Sequence, residues 1–160
     1  MATSLKNLSH HDPSAIPDGS SFYIGIAVAE WNPEVTNALL EGAVATLLRA
    51  GVKQERIEIR RVPGTFELPL ACQWMAEQKK TDAVIGLGCV IQGETRHFDF
   101  ICDATANAMQ NVALKSNKPC IFGVLTTDTQ QQALDRAGGK HGNKGDEAAF
   151  TALKMVAIRP

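Results

Sequence analysis

Hydrophobic and polar positions along this chain fall into blocks that switch between two periods. Residues 22–29, Phe-Tyr-Ile-Gly-Ile-Ala-Val-Ala, are apolar at consecutive positions, which predicts a strand buried on both faces. Asn32-Pro33 follows as a helix start, with Asn32 as N-cap and Pro33 in the first helical position. Val35, Leu39, Ala43, Leu47 and Ala50 recur at helical spacing, and Gly51 ends the helix. The same unit then returns. Residues 57–62 alternate as a less buried strand nearer an edge, Pro63-Gly64 breaks it, and a helix runs through Leu70, Trp74 and Met75. Residues 83–91 form the most apolar strand, and the polar loop 92–97 leads to a helix over 98–115. Lys118-Pro119 introduces a strand over 120–126. Two last helices, over 130–137 and 146–158, flank the Gly- and Lys-rich loop 138–145.

Four strands alternating with helices imply right-handed β-α-β crossovers and a parallel sheet covered on both faces. The expected architecture is one α/β domain over residues 20–160, a three-layer α/β/α sandwich that is flavodoxin-like in outline. Residues 1–19 are polar, carry Pro13 and Pro17, and read as a mobile or partner-dependent arm. A four-stranded sheet has two open edges, which the arm of a neighbouring subunit could pair with.

Composition narrows the function. The chain has 160 residues, 44% hydrophobic and 21% charged, with 16 Lys+Arg against 17 Asp+Glu. That is a globular composition without the broad basic footprint of a nucleic-acid or membrane-surface binder. The apolar stretch 22–31 is too short to span a bilayer, and residues 1–19 lack the apolar core of a signal peptide, so a cytoplasmic protein is expected. Cys72, Cys89, Cys102 and Cys120 contain no C-x-x-C and suit neither a zinc ribbon nor a redox dithiol. His97, Asp99 and Cys102 have no recognised metal-ligand spacing either.

In open α/β sheets, ligands bind beyond the carboxyl ends of the strands. Those ends read Glu30-Trp31-Asn32, Pro63-Gly64-Thr65-Phe66-Glu67, Gln92-Gly93-Glu94-Thr95-Arg96-His97 and Thr126-Thr127-Asp128. No dinucleotide fingerprint, P-loop, nucleophile elbow or H-E-x-x-H is present. Gly93-Glu94-Thr95 is expected to open a helix, whose N–H groups suit an anion or simply a Thr cap. His97 alone among the histidines stands at a strand end, where it could exchange protons or only pack. Trp31 and Phe66 could sandwich a planar heterocycle or serve as core aromatics. Glu67 could bind polyol or ring N–H groups, or cap the next helix. Cys89, Val90 and Ile91 could offer backbone groups, although they read first as strand core. Arg136, Lys140 and Lys144 place positive charge around a flexible loop, apt for an anion or for a solvated helix end.

Taken together, these segments resemble the 6,7-dimethyl-8-ribityllumazine synthase family of riboflavin biosynthesis. The matching stretches are Glu30-Trp31-Asn32, residues 62–69 (Val-Pro-Gly-Thr-Phe-Glu-Leu-Pro), residues 88–99 (Gly-Cys-Val-Ile-Gln-Gly-Glu-Thr-Arg-His-Phe-Asp) and residues 136–145 (Arg-Ala-Gly-Gly-Lys-His-Gly-Asn-Lys-Gly). The resemblance implies a condensation that needs neither cofactor nor metal, joining a ribitylamino-pyrimidinedione to 3,4-dihydroxy-2-butanone 4-phosphate. It implies that Trp31 stacks on the pyrimidine, and that Thr65, Phe66 and Glu67 hold the ring and ribityl chain. Backbone groups of Cys89, Val90 and Ile91 would read the ring edge. Glu94, Thr95 and Arg136 would bind phosphate, and His97 would move protons. Phe122 and Lys144 would complete the ring pocket.

Phe122 stands near the start of its strand, whereas the other candidates stand at carboxyl ends. It should therefore serve a neighbour's site, in keeping with the family's pentamers. The uninterrupted loop 138–145 resembles members whose pentamers form sixty-subunit shells, and such a shell makes a riboflavin synthase a partner to look for. Two positions depart from the common pattern: Trp31 where many members carry Phe, and Thr65 where Ala or Ser is frequent. A non-catalytic flavin-binding shell or carrier of the same fold is the alternative, but His97, Arg136 and Glu67 are all retained. A flavodoxin-like electron carrier would place a hydroxyl-rich phosphate loop where this chain has Glu30-Trp31-Asn32-Pro33.

Overall fold

The computed structural model describes Asn7 and residues 9–160. Four strands, β1 (Ile24–Ala29), β2 (Ile57–Val62), β3 (Ala83–Ile91) and β4 (Cys120–Thr127), form one parallel sheet in the order β2-β1-β3-β4. The principal helices are α1 (Pro33–Arg49), α2 (Leu68–Ala76), α3 (His97–Ser116) and α5 (Lys144–Ala157), with a short α4 (Gln130–Leu134) after β4. The result is the α/β/α sandwich that the alternation of periods implies. Among the described residues, no helix is long and apolar enough to cross a membrane.

The two faces of the sheet carry side chains of different size, which sets how closely each helix layer approaches. Ile24, Ile26 and Val28 of β1 and Ile85, Leu87 and Cys89 of β3 pack with Leu39 and Leu47 of α1 and Leu153 of α5. Each such fully buried aliphatic side chain contributes about 1.5–3 kcal/mol. Ala27, Ala29 and Val84 face the other way, with Cys72 and Met75 of α2 and Met109 of α3. Gly86 and Gly88 fall on this second face. A Cβ at Gly86 would stand 2.6 Å from Met109 Cε, and one at Gly88 would stand 2.8 Å from Thr65 Oγ1. The glycines of β3 thus let the second layer settle almost onto the strand backbone, which explains two glycines inside the most apolar strand.

The C-terminal segment differs from expectation. The fourth helix stops at Leu134, and the loop 138–145 is a small antiparallel hairpin of β5 (Ala137–Gly139) and β6 (Gly142–Asn143). Gly138 (φ 107°) and Gly142 (φ 81°) supply the left-handed backbone that the hairpin requires. Asn143 pins it down. Its Oδ1 accepts from Gly145 N at 2.7 Å, its Nδ2 donates to Ala38 O at 2.8 Å, and its N–H donates to Ser9 Oγ at 2.8 Å. Residues 9–19 lie against their own chain, where His11 stacks on Phe150 and Gly19 N donates to Ala50 O. Residues 1–6 and 8, the remainder of the expected arm, lie outside the described residues.

Candidate active site

Because β1 lies between β2 and β3, the chain leaves its carboxyl end in one direction and the sheet continues in the other. This switch point opens a crevice. A cleft of about 410 Å³ occupies it, lined from three strand ends: Trp31 after β1, residues 64–67 after β2, and residues 89–91 of β3. Gly93, Thr95 and the first turn of α3, with His97, Phe98 and Ile101, close the remaining side.

Exposure removes the core reading of the aromatic pair. Trp31 is 73% and Phe66 57% exposed, so neither ring is a core side chain. Phe66 sits in a single 3-10 turn, Thr65–Glu67, that leads directly into α2. Thr65 anchors that turn against Gly88; it is buried, and its hydroxyl has no hydrogen-bond partner among the described residues. Glu67 is exposed beside Phe66, and it caps no N–H of α2 through its side chain.

Asn32 stands at the N-cap of α1, as the Asn-Pro pair implies, but its side chain makes no capping hydrogen bond. Its backbone is left-handed (φ 58°, ψ 56°), and its side chain turns away from the helix. Asn32 Nδ2 instead donates to Cys89 O across the sheet at 3.0 Å. Only its backbone carbonyl serves the helix, accepting from the N–H groups of Val35 and Thr36. Cys89 borders the cleft while only 1% exposed, and burial pushes its thiol up to about 11. A protonated thiol in the core is a packing group, so Cys89 can meet a ligand only through its main chain.

The 92–97 segment is a folded loop and α3 begins at His97, one residue before the expected start, so Gly93-Glu94-Thr95 precedes the helix instead of opening it. Gln92 organises the loop. Its N–H extends the β3–β4 ladder to Thr127 O at 2.8 Å, and its Nε2 donates to Gly93 O at 2.8 Å. The hydroxyl of Thr95 accepts from His97 N at 3.4 Å, a long bond at the helix start. His97 is exposed on the cleft rim, and its imidazole makes no hydrogen bond or ion pair with a described residue. It is therefore free to address a ligand. Glu94 is exposed in the same loop but does not line the cleft.

Three expected site residues stand elsewhere. Phe122 pairs with Gly86, five positions below the carboxyl end of β3, which corresponds to roughly 17 Å along the strand. Arg136 Nη1 donates to Gln132 O at 2.9 Å, and Lys144 Nζ lies 3.1 Å from Glu147 Oε1. Lys140 pairs with Asp135 at 2.9 Å. The cations around the hairpin are thus oriented by their own chain, and none of them lines the cleft.

A profile of the 6,7-dimethyl-8-ribityllumazine synthase family matches residues 21–159. The chain is 62% identical over 157 residues to the 6,7-dimethyl-8-ribityllumazine synthase of Cytophaga hutchinsonii, covering 98% of each protein. Against the enzymes of that name from Parabacteroides distasonis and Porphyromonas gingivalis the identity is 54% and 52%, over 98% or more of the chain. The chain belongs to the 6,7-dimethyl-8-ribityllumazine synthase family.

In this member of the lumazine synthase family, the cleft also includes Asn32, Gly64, Phe98 and Ile101, none of which had an expected ligand role of its own. Phe98 and Ile101 carried a usable signal. They stand one and four positions after His97 on a helix, a spacing that brings 97 and 101 to one face. The role of Asn32 carried none, since its partner is 57 residues away. Among the described residues, no group of three or more His, Cys, Asp or Glu side chains is placed to hold a metal ion.

Proposed function

We propose that the protein condenses 5-amino-6-(D-ribitylamino)uracil with 3,4-dihydroxy-2-butanone 4-phosphate to give 6,7-dimethyl-8-ribityllumazine, as a cofactor-independent transferase of riboflavin biosynthesis. One observation carries this reading: an unpaired imidazole, His97, on the rim of a cleft that also exposes two aromatic rings, Trp31 and Phe66. The pyrimidine stacks on Trp31, with Thr65, Phe66 and Glu67 holding the ring and ribityl chain. Backbone groups of Cys89, Val90 and Ile91 read the ring edge. Glu94 and Thr95 hold the phosphate.

The chemistry follows from these groups. The 5-amino group attacks the ketone and the adduct loses water to give an imine. Phosphate is then eliminated, the ribitylamino nitrogen closes the ring on the newly formed carbonyl, and a second water leaves. His97 supplies and removes protons in the imine-forming and phosphate-releasing steps. Holding two reactants at bonding distance contributes the larger part, because it replaces a bimolecular encounter by an intramolecular one.

The same reading assigns Phe122, Arg136 and Lys144 to a neighbouring subunit's cleft, where Phe122 and Lys144 complete the ring pocket and Arg136 meets the phosphate. It is supported by the distance of Phe122 from the cleft of its own chain and by exposed apolar side chains on α2 and α3, namely Leu70, Trp74, Phe100 and Leu114. The functional unit is then a pentamer, proposed to assemble further into a sixty-subunit shell that could enclose a riboflavin synthase. Residues 20–160 form the catalytic domain and residues 1–19 its arm, in a cytoplasmic protein. Mixing the purified protein with both substrates and following the lumazine chromophore tests the reading. Product formation no faster than the spontaneous reaction would overturn it, and tight flavin binding without turnover would favour the non-catalytic shell.

A further inference from the structure

We infer that Asn32 is a positioning residue, which holds Trp31 against the ring substrate by clamping the end of β1 to β3. The inference rests on the proposed substrate site and concerns a residue of its wall to which that reading gives no substrate contact.

Trp31 projects from the cleft wall with its side chain mostly exposed, so packing does little to fix it. Its two neighbours are tied instead. Glu30 N donates to Val62 O at 2.8 Å, extending the β1–β2 pairing by one residue. Asn32 Nδ2 donates to Cys89 O at 3.0 Å on the opposite side of β1. Pairing between β1 and β3 ends at Val28 and Leu87. The carbonyl of Cys89, two residues further along β3, points to the same side as that of Leu87. It therefore lies beyond the reach of the β1 ladder. The Asn32 amide takes the place of the missing main-chain donor, and Trp31 is strung between two strands at the switch point.

The backbone of Asn32 shows that this bond is selected. A non-glycine residue at φ 58° is strained, and the position before proline disfavours helical backbone further. Asn tolerates the left-handed region better than most residues, and its short amide reaches a carbonyl across the crevice. Gly would satisfy the backbone alone. Asp would satisfy it as well but would aim a carboxylate at the Cys89 carbonyl.

Asn32→Gly therefore isolates the side-chain bond, because the backbone is retained. Steady-state kinetics should show KM for the ribitylated pyrimidine rising about five- to tenfold, the loss of one hydrogen bond. KM for the butanone phosphate and kcat should stay within about twofold. Asn32→Asp should behave like Asn32→Gly or worse. In a Trp31→Ala background, Asn32→Gly should change the pyrimidine KM less than about twofold, since the ring it positions is gone. An unchanged KM in Asn32→Gly, or full additivity in the double variant, would overturn the inference while leaving the enzyme reading intact. If the wild-type protein forms no lumazine, titration calorimetry with the ribitylated pyrimidine makes the same comparison. Equal affinity of wild type and Asn32→Gly, or binding to neither, would overturn the inference in that case.

Discussion

The side chain of Thr65 lies over the bare Cα of Gly88, so closely that a Cβ there would stand 2.8 Å from Thr65 Oγ1. Through this contact the interior of a strand sets the position of Phe66 and Glu67. Leu68, at the start of α2, adds a second contact, because its Cδ1 would lie 3.0 Å from the same Cβ. Gly88→Ala should cost about 1–3 kcal/mol by overpacking and raise KM for the pyrimidine substrate. Urea unfolding and steady-state kinetics would read the two effects. Adding Thr65→Ala should return part of the stability, because it removes the group that the new methyl meets.

Replacing His97 should slow the reaction without abolishing it. The substrate amine is already nucleophilic, and a positioned proton-transfer group contributes modestly here, so His97→Ala should lower kcat by on the order of 10²-fold or less. Single-turnover absorbance of the lumazine product measures the loss. A variant with wild-type kcat would remove His97 from the mechanism.

The separation of Arg136 from the cleft lends itself to subunit mixing. His97→Ala and Arg136→Ala chains are each expected to be weakly active alone. Unfolded together and reassembled in equal amounts, they should regain activity in roughly a quarter of the sites, those pairing an intact His97 with an intact neighbouring Arg136. Activity equal to the mean of the two parents would show that each site is built from one chain.

Acid should loosen the hairpin before the sheet. The amide of Gln131 and the ammonium of Lys140 hold the Asp135 carboxyl below the ordinary carboxylate range. With the folded pKa depressed, the stabilisation is fully present above the unfolded value of about 3.9 and is lost as pH falls through the folded value. Asp135→Asn should therefore be less stable than wild type above about pH 5 and converge with it in strong acid. Amide exchange at residues 137–143, followed against pH in both proteins, would show the effect.

Cys89 should resist alkylation. With its thiol pushed up to about 11 by burial, the thiolate fraction at pH 8 is on the order of one in a thousand. Iodoacetamide at that pH should label Cys102 and Cys120, which are half-buried, and spare Cys89 and Cys72 until denaturant is added. Peptide mass mapping before and after unfolding would report the order.

Which parts of the fold were legible follows from what burial does to a linear pattern. β2 and β3 begin and end where the alternating segment and the apolar run do, at Ile57–Val62 and Ala83–Ile91, and α1 starts at Pro33 as the Asn-Pro pair implies. The hairpin of β5 and β6 was not legible. Its residues are Gly, Lys, His and Asn, which carry no periodicity, and Asn143 holds it through a bond to Ala38 from another part of the chain. The cleft was legible in outline, because strand ends can be counted along the sequence, and Trp31, residues 65–67, residues 89–91, Thr95 and His97 do meet there.

The amino-acid sequence by itself determined the alternation of strand and helix, the parallel sheet and most of the segments that line the cleft. All of these depend on the order of apolar and polar residues over short windows, where burial imposes its own period. Only the tertiary structure decided that the Asn32 side chain reaches to Cys89 and leaves capping to its carbonyl, that Gly88 seats Thr65, and that Phe122, Arg136 and Lys144 stand apart from the cleft of their own chain. Such relationships depend on strand register and on the approach of residues far apart in the chain. Contacts of that kind arise when the crossovers pack against the sheet, and no local pattern encodes them.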